Sequence, residues 1–315
     1  MRIGYPCVNY IIGCRANRTF RLRSYSDQYL RETVESNLSC LAQILKYNVQ
    51  HQIFFFRIGS ELIPFASHPI CQFDWPEYFD TQFKEIGLFI RKHNLRISMH
   101  PDQFTLINAM DESIFQRSLK ELNYHVCVFE CLNLDSTAKI QIHIGGVYGN
   151  KAASIQRFIR RYHQMDERLK RYLVIENDDN NYSVKDCLAI HKKTKIPVVL
   201  DVFHHQLYNH GESLSTVFNS VYETWAGDHG PMIIDYSSQQ PGLRKGAHAA
   251  TIDDKDFRQF IRTAGHYNFD LMLEIKDKEN SALRAVKIVR GHIKLKHFAL
   301  NITNPLTPHL PSTHT

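Results

Sequence analysis

The chain has 315 residues, enough for one large barrel or two ordinary domains, and its 43% hydrophobic and 22% charged content is normal for a soluble globular protein. Its formal net charge of +6 permits a polyanionic partner without requiring one. No apolar run approaches the roughly 18 residues that span a bilayer. The seven cysteines form no C-x-x-C pair, and MRIGYPCVNY reads directly as a strand with no signal peptide, so neither a membrane protein nor a secreted disulfide scaffold is expected, and a reducing cytosol is.

In chain order, the first strand is predicted at 2–7 (RIGYPC). A loop carrying Arg15, Arg18, Arg21 and Arg23 follows it. Ser26 then caps a helix that places Leu30, Val34, Leu38, Leu41 and Leu45 on one face. Strand 53–59 (IFFFRIG) precedes a helix over 79–93, and strand 95–100 (LRISMH) precedes one over 111–133, where Cys127 and Cys131 read as core. Strand 138–146 (AKIQIHIGG) leads to helix 151–169, and strand 172–177 (YLVIEN) to helix 183–194. The last three pairs are 197–202 with 212–225, 231–236 with 254–266, and 269–275 with 279–291. Short, continuous, β-branched or aromatic runs suit strands buried on both faces. Eight strands, each followed by a helix, predict a single (β/α)₈ TIM barrel over residues 1–300. A doubly wound sheet is the rival, and it lacks its Gly-rich phosphate loop after the first strand. Residues 301–315, rich in Pro, Ser and Thr, are expected to be a disordered tail.

A barrel of this kind carries its active site at the C-terminal ends of the strands. The residues closing the predicted strands are His100, His143, Glu176, Asp201, Asp235 and Glu274, with His204 three residues after Asp201 and His248 in the loop after strand seven. Each has an ordinary explanation alone, as a surface histidine or a capping acid. Together, four histidines and four acids share one edge of one barrel. Such carboxylates repel one another unless cations lie between them, and imidazole with carboxylate suits Zn²⁺, Mn²⁺ or Fe²⁺. The donors are too many for one ion, so two or three are implied. Paired ions are a standard device for phosphodiester hydrolysis. G-x-S-x-G and Walker A motifs are absent.

The blocks GYPCVN (4–9), SMHPDQF (98–104), IHIGG (142–146), VIENDD (174–179), LDVFHH (200–205) and LEIKDKE (273–279) resemble those of the UV damage endonucleases, in the same order. The similarity runs from residue 2 to about 290. It implies a TIM-barrel repair enzyme related to the endonuclease IV architecture. Such an enzyme nicks UV-damaged duplex DNA immediately 5′ of pyrimidine dimers, 6-4 photoproducts and some abasic sites, with up to three divalent ions, manganese favoured. By that resemblance His100, His143 and Glu176 hold one ion. Glu176 bridges to a second, held also by Asp201, Asp235 and Glu274, and His204 and His248 hold the third. Glu176, Asp201 and Glu274 are the expected catalytic acids. Gln103 and Phe104 stand where the family inserts a Gln-Tyr pair to probe the duplex, and Tyr5 and Asn9 where it recognises the flipped-out lesion.

Two departures from that pattern occur in strand seven. The family commonly places a carboxylated Lys two residues before a ligating His; here those positions hold Ile233 and Asp235. The third ion is therefore expected to bind weakly. Independently of the resemblance, Arg15 and Arg18 in the first loop and Arg244 and Lys245 in the loop QQPGLRKGAH are candidates for phosphate contact. No membrane association and no obligate protein partner are expected, and the cell location is expected to be cytoplasmic, at the nucleoid in a prokaryote. The alternatives are a metal-dependent sugar isomerase or epimerase on a similar barrel, which has no need of Gln103-Phe104 or the first-loop arginines, and a catalytically impaired DNA-binding relative.

Overall fold

The computed structural model describes the backbone of residues 1–303 and side chains as far as residue 291. Eight parallel strands close a barrel in sequential order: β1 (Ile3–Pro6), β2 (Phe55–Ile58), β3 (Arg96–Met99), β4 (Lys139–His143), β5 (Leu173–Glu176), β6 (Val198–Asp201), β7 (Met232–Tyr236) and β8 (Phe269–Leu273). Every strand is buried along its length apart from the half-buried His143, which is why the sequence shows apolar runs without alternation. Gly4 is required where β1 crosses β2: a Cβ there would stand 2.3 Å from the Phe55 carbonyl oxygen.

The helices between the strands are α1 (Asp27–Gln50), α2 (Trp75–Tyr78), α3 (Asp80–Lys92), α4 (Glu112–Cys131), α5 (Lys151–Gln164), α6 (Glu167–Lys170), α7 (Val184–Thr194), α8 (Val202–Leu207), α9 (Leu214–Tyr222), α10 (Asp254–Ala264) and α11 (Glu279–Thr303). Ser26 caps α1 as expected, accepting from the Tyr29 amide at 3.1 Å. The helix expected over 151–169 breaks at Met165, whose backbone is extended, and Asp166 caps α6 anew. The short α8 was not expected; the Asp201 carboxylate that closes β6 also caps it, accepting from the His204 amide at 2.7 Å. The last helix continues past 291 to Thr303, so residues 301–303 of the expected tail are helical, while 304–315 lie outside the described residues.

The cysteine spacing shows no disulfide framework, yet Cys14 of the first loop is bonded to Cys40 of α1, with their Cα atoms 5.8 Å apart. The pairing joins a loop to a helix 26 residues away, a proximity that only the folded chain creates. Asn37 of α1 holds the same loop: its amide and carbonyl pair with the Arg18 backbone at 3.0 and 2.9 Å. The opposite end of the barrel is also polar. Arg96 donates to Asp270 at 2.9 Å, and Lys139 to the Arg171 carbonyl at 3.0 Å, both from buried positions at the N-terminal ends of strands.

Candidate metal centre

Parallel pairing in register carries the expected ligands to one end of the barrel. His143 stands opposite Glu176 and Asp201 opposite Asp235, so neighbouring strands deliver their closing residues side by side. His100 follows β3 and Glu274 follows β8. Two groups result. His100, His143 and Glu176 offer donor atoms within 4.8 Å of one another, and so do Asp201, Asp235 and Glu274. His204, in the first turn of α8, and His248, in the loop after β7, extend the first group: the ring centroids of His100, His143, His204 and His248 follow one another at 5.2, 6.3 and 5.9 Å.

Hydrogen bonds at the outer nitrogens orient these rings. His100 Nδ1 lies 2.7 Å from the Pro101 carbonyl, His204 Nδ1 3.1 Å from that of Asn177, and His248 Nδ1 2.8 Å from that of Glu274. A carbonyl can only accept, so each ring donates from Nδ1 and leaves Nε2 as the nitrogen that can bind an ion once it carries no proton, the usual arrangement behind a metal-bound histidine. His100 Nε2 lies 3.2 Å from Glu176 Oε1, and Asp201 and Glu176 hold His204 up to about 9 against the pull of burial. His143 Nε2 lies 2.8 Å from Glu176 Oε1, and its buried Nδ1 has no partner. Asn177 further locks β5 to β6, donating to the Asp201 carbonyl and accepting from the Asp201 amide, each at 3.0 Å.

The electrostatics divide the acids into two that are held up, Asp201 and Asp235, and two that neighbouring cations hold down against burial, Glu176 and, through Arg57, Glu274. Burial, assisted by Glu274 and Glu176 and opposed by His204, pushes Asp201 up to about 6. Burial and the neighbouring acids raise Asp235 as well, against Arg57. Burial works against ionised Glu176 too, but His143 and His100 outweigh it and hold that acid well below the usual carboxylate range. His143 is correspondingly held up to about 8 by Glu176 against the pull of burial. Among the described residues, Asp201 Oδ2 and Asp235 Oδ1 are buried without any hydrogen-bond partner. Orphaned carboxylate oxygens are costly unless a cation completes them. Hard oxygen donors beside imidazoles therefore fit divalent ions at this place.

The remaining expected residues divide by exposure. Phe104 is 72% exposed, on a loop after β3 where Asp102 accepts from the Phe104 amide at 2.7 Å; Gln103 beside it is also exposed. Arg15, Arg18 and Lys245 are exposed at the same end of the barrel. Tyr5 and Asn9 are not displayed. The Tyr5 hydroxyl donates to Asn48 at 2.6 Å and accepts from Asn9 at 2.8 Å, while Asn9 Oδ1 accepts from the Ile11 and Ile12 amides. Both side chains are occupied in supporting the first loop, so contact with a flipped-out base requires this network to open. Ile233 is fully buried and offers no donor.

Two buried polar residues beneath the acids escaped the sequence reading, Arg57 of β2 and Gln141 of β4. The signal was present. Arg57 interrupts the apolar run IFFFRIG, and Gln141 lies two residues before His143, on the same side of its strand.

A closed parallel barrel with a histidine and carboxylate cluster at the C-terminal strand ends defines a (β/α)₈ enzyme scaffold suited to divalent ions. The same architecture occurs in the crystal structure of D-psicose 3-epimerase with D-tagatose from Clostridium cellulolyticum H10, at a TM-score of 0.55 over 92% of this chain and 98% of that one, with 12% identity, a likeness of fold alone. The particular family is set by sequence: the UV-endonuclease UvdE profile matches residues 1–303, and the chain belongs to that family. A UV DNA damage endonuclease of Clostridium perfringens (strain 13 / Type A) is 35% identical, the match covering 92% of this chain and 71% of that one. One of Bacillus cereus (strain ATCC 10987 / NRS 248) is 32% identical over 92% and 98%. The crystal structure of SacUVDE superposes with a TM-score of 0.90 at 42% identity, covering 93% of this chain and 99% of that one.

Proposed function

We propose that this chain, a DNA-repair endonuclease of UV damage by family, hydrolyses the phosphodiester immediately 5′ of pyrimidine dimers and 6-4 photoproducts, and of some abasic sites, leaving a 3′-hydroxyl and a 5′-phosphate. The observation that carries this reading is the pair of adjoining donor groups with orphaned buried oxygens at the barrel mouth. His100, His143 and Glu176 would hold one divalent ion, and Asp201, Asp235 and Glu274 a second, with Mn²⁺ favoured. His204 and His248 are left for a third, more weakly held. Bound there, such ions supply charge neutralisation at the phosphodiester and an acidified water. Glu176, Asp201 and Glu274 fix the charge pattern into which the scissile group fits. Gln103 and Phe104 project from the rim, where an aromatic ring can fill the gap left by unstacked bases, an interaction worth about 1–3 kcal/mol per base. Arg15, Arg18 and Lys245 lie where the duplex backbone would pass. The enzyme would work on chromosomal DNA in the cytoplasm, without an obligate protein partner; no helix among the described residues is long and apolar enough to cross a membrane.

The test is conversion of UV-irradiated supercoiled plasmid to open circles. Nicking is expected with Mn²⁺, not with excess EDTA, and not on unirradiated plasmid, and DNA ligase should reseal the product. Equal nicking of unirradiated plasmid, or none with Mn²⁺, overturns the reading. The epimerase alternative rests on a likeness of fold alone.

A further inference from the structure

Arg57 and Gln141 are buried beneath the acids and have no part in the roles above. Arg57 donates through one terminal nitrogen to Glu274 Oε1, and through the other to Asp235 Oδ2 at 2.8 Å and Gln141 Oε1 at 2.9 Å. The Gln141 amide donates to Glu176 Oε2 and, at 2.6 Å, to Asp235 Oδ2. The pair thus takes one oxygen from each of three carboxylates, on three different strand ends. The other oxygens behave differently. Glu176 Oε1 meets His143 Nε2 at 2.8 Å and His100 Nε2 at 3.2 Å. Asp235 Oδ1 is buried without a partner, and Glu274 Oε2 lies 4.0 Å from His248 Nδ1.

We infer that Arg57 and Gln141 are positioning residues which divide Glu176, Asp235 and Glu274 into a held oxygen and a presented oxygen, so that the ligand set is assembled before any ion arrives. This role rests on the metal-centre reading and adds to it what keeps the acids in place. A guanidinium is a permanent cation with a rigid planar fork, so it can balance two acids and orient both. Gln141 is neutral and bidentate: its oxygen accepts from Arg57 and its amide fixes Glu176 and Asp235. Without this pair each carboxylate must be turned toward the ion during binding, and that ordering subtracts from affinity. Asp235 adds a buried acid to this cluster, and Arg57 is the cation that faces it, at 2.8 Å.

The experiment is Mn²⁺ binding to the full chain, followed by the electron paramagnetic resonance signal of free Mn²⁺, with the metal-free melting temperature recorded alongside. Gln141→Leu keeps the Arg57–Asp235 ion pair and changes no charge. Arg57→Lys keeps the charge but loses the fork. Each should raise the Mn²⁺ dissociation constant roughly 10–100-fold, the range for groups that orient metal ligands, while Gln141→Leu leaves the metal-free melting temperature nearly unchanged. An unchanged dissociation constant in folded Gln141→Leu overturns the inference, as does a lower melting temperature with unaltered affinity, which assigns a packing role. If the wild type itself takes up no Mn²⁺, the metal-centre reading fails and takes the inference with it.

Discussion

Replacing Asp201 by Asn should make the metal-free protein more stable while weakening its hold on ions. The Asp201 side chain does two separable things. Its Oδ1 caps α8 through the His204 amide, a bond an Asn oxygen makes equally well. Its Oδ2 is buried without a hydrogen-bond partner among the described residues, 3.4 Å from His204 Nδ1. Burial and the neighbouring acids raise this group from 3.8 to about 6, so the folded state holds a proton that the unfolded chain has already released. A raised acid costs stability as pH climbs through that interval and does so fully above it. Two pH units correspond to about 3 kcal/mol, and the cost is still about 1 kcal/mol near pH 4.5. Asp201→Asn should therefore melt up to roughly 6 °C higher than wild type in EDTA at pH 8, taking about 2 °C per kcal/mol for a chain of this size, with the lost attraction to His204 reducing the gain. The gap should narrow to roughly 2 °C at pH 4.5. With saturating Mn²⁺ the order should reverse, because the wild type gains binding energy in the native state only. Thermal melts in EDTA across this pH range are the assay. A metal-free Asp201→Asn protein less stable than wild type at pH 8, or an advantage that does not change with pH, would refute the view that these acids are held together at a cost.

Glu176→Gln should abolish nicking of irradiated plasmid, since Glu176 Oε1 contacts both His100 and His143 and the variant cannot supply that charge; retained activity in this variant removes Glu176 from the metal set. Asp235→Ala should cost much more activity than His248→Ala, and dialysed protein should carry nearer two metal ions than three, by atomic emission analysis; equal losses, or three tightly held ions, would show that the centre compensates for Ile233. Phe104→Ala and Gln103→Ala should slow cleavage of a dimer-containing duplex more than that of one already opened by a mismatch or gap, with metal content unchanged, because both side chains are exposed beyond the ligands. At the other end of the barrel, burial lowers Lys139 from 10.5 to about 7, with Arg96 assisting. The folded state thus sheds a proton that the unfolded chain keeps, so this residue makes stability rise between pH 7 and pH 10. Denaturant titrations should show that slope in wild type and a smaller one in Lys139→Met.

The sequence by itself determined the barrel and the order of its parts. Period and composition reveal strands buried on both faces, and the strand-end rule for such barrels then picks out His100, His143, Glu176, Asp201, Asp235 and Glu274 without reference to distance. What it could not determine were relations between residues far apart in the chain. Arg57 and Glu274 lie 217 residues apart, and Arg57 looks like an interruption of a strand until closure of the barrel sets it beneath Asp235 and Glu274. The Cys14–Cys40 bond and the burial of Tyr5 against Asn48 arise in the same way, from α1 packing over the first loop. Local pattern records which way a side chain faces. Which charge it meets there depends on the closure of the sheet and on the register between neighbouring strands, and the tertiary structure alone decides both.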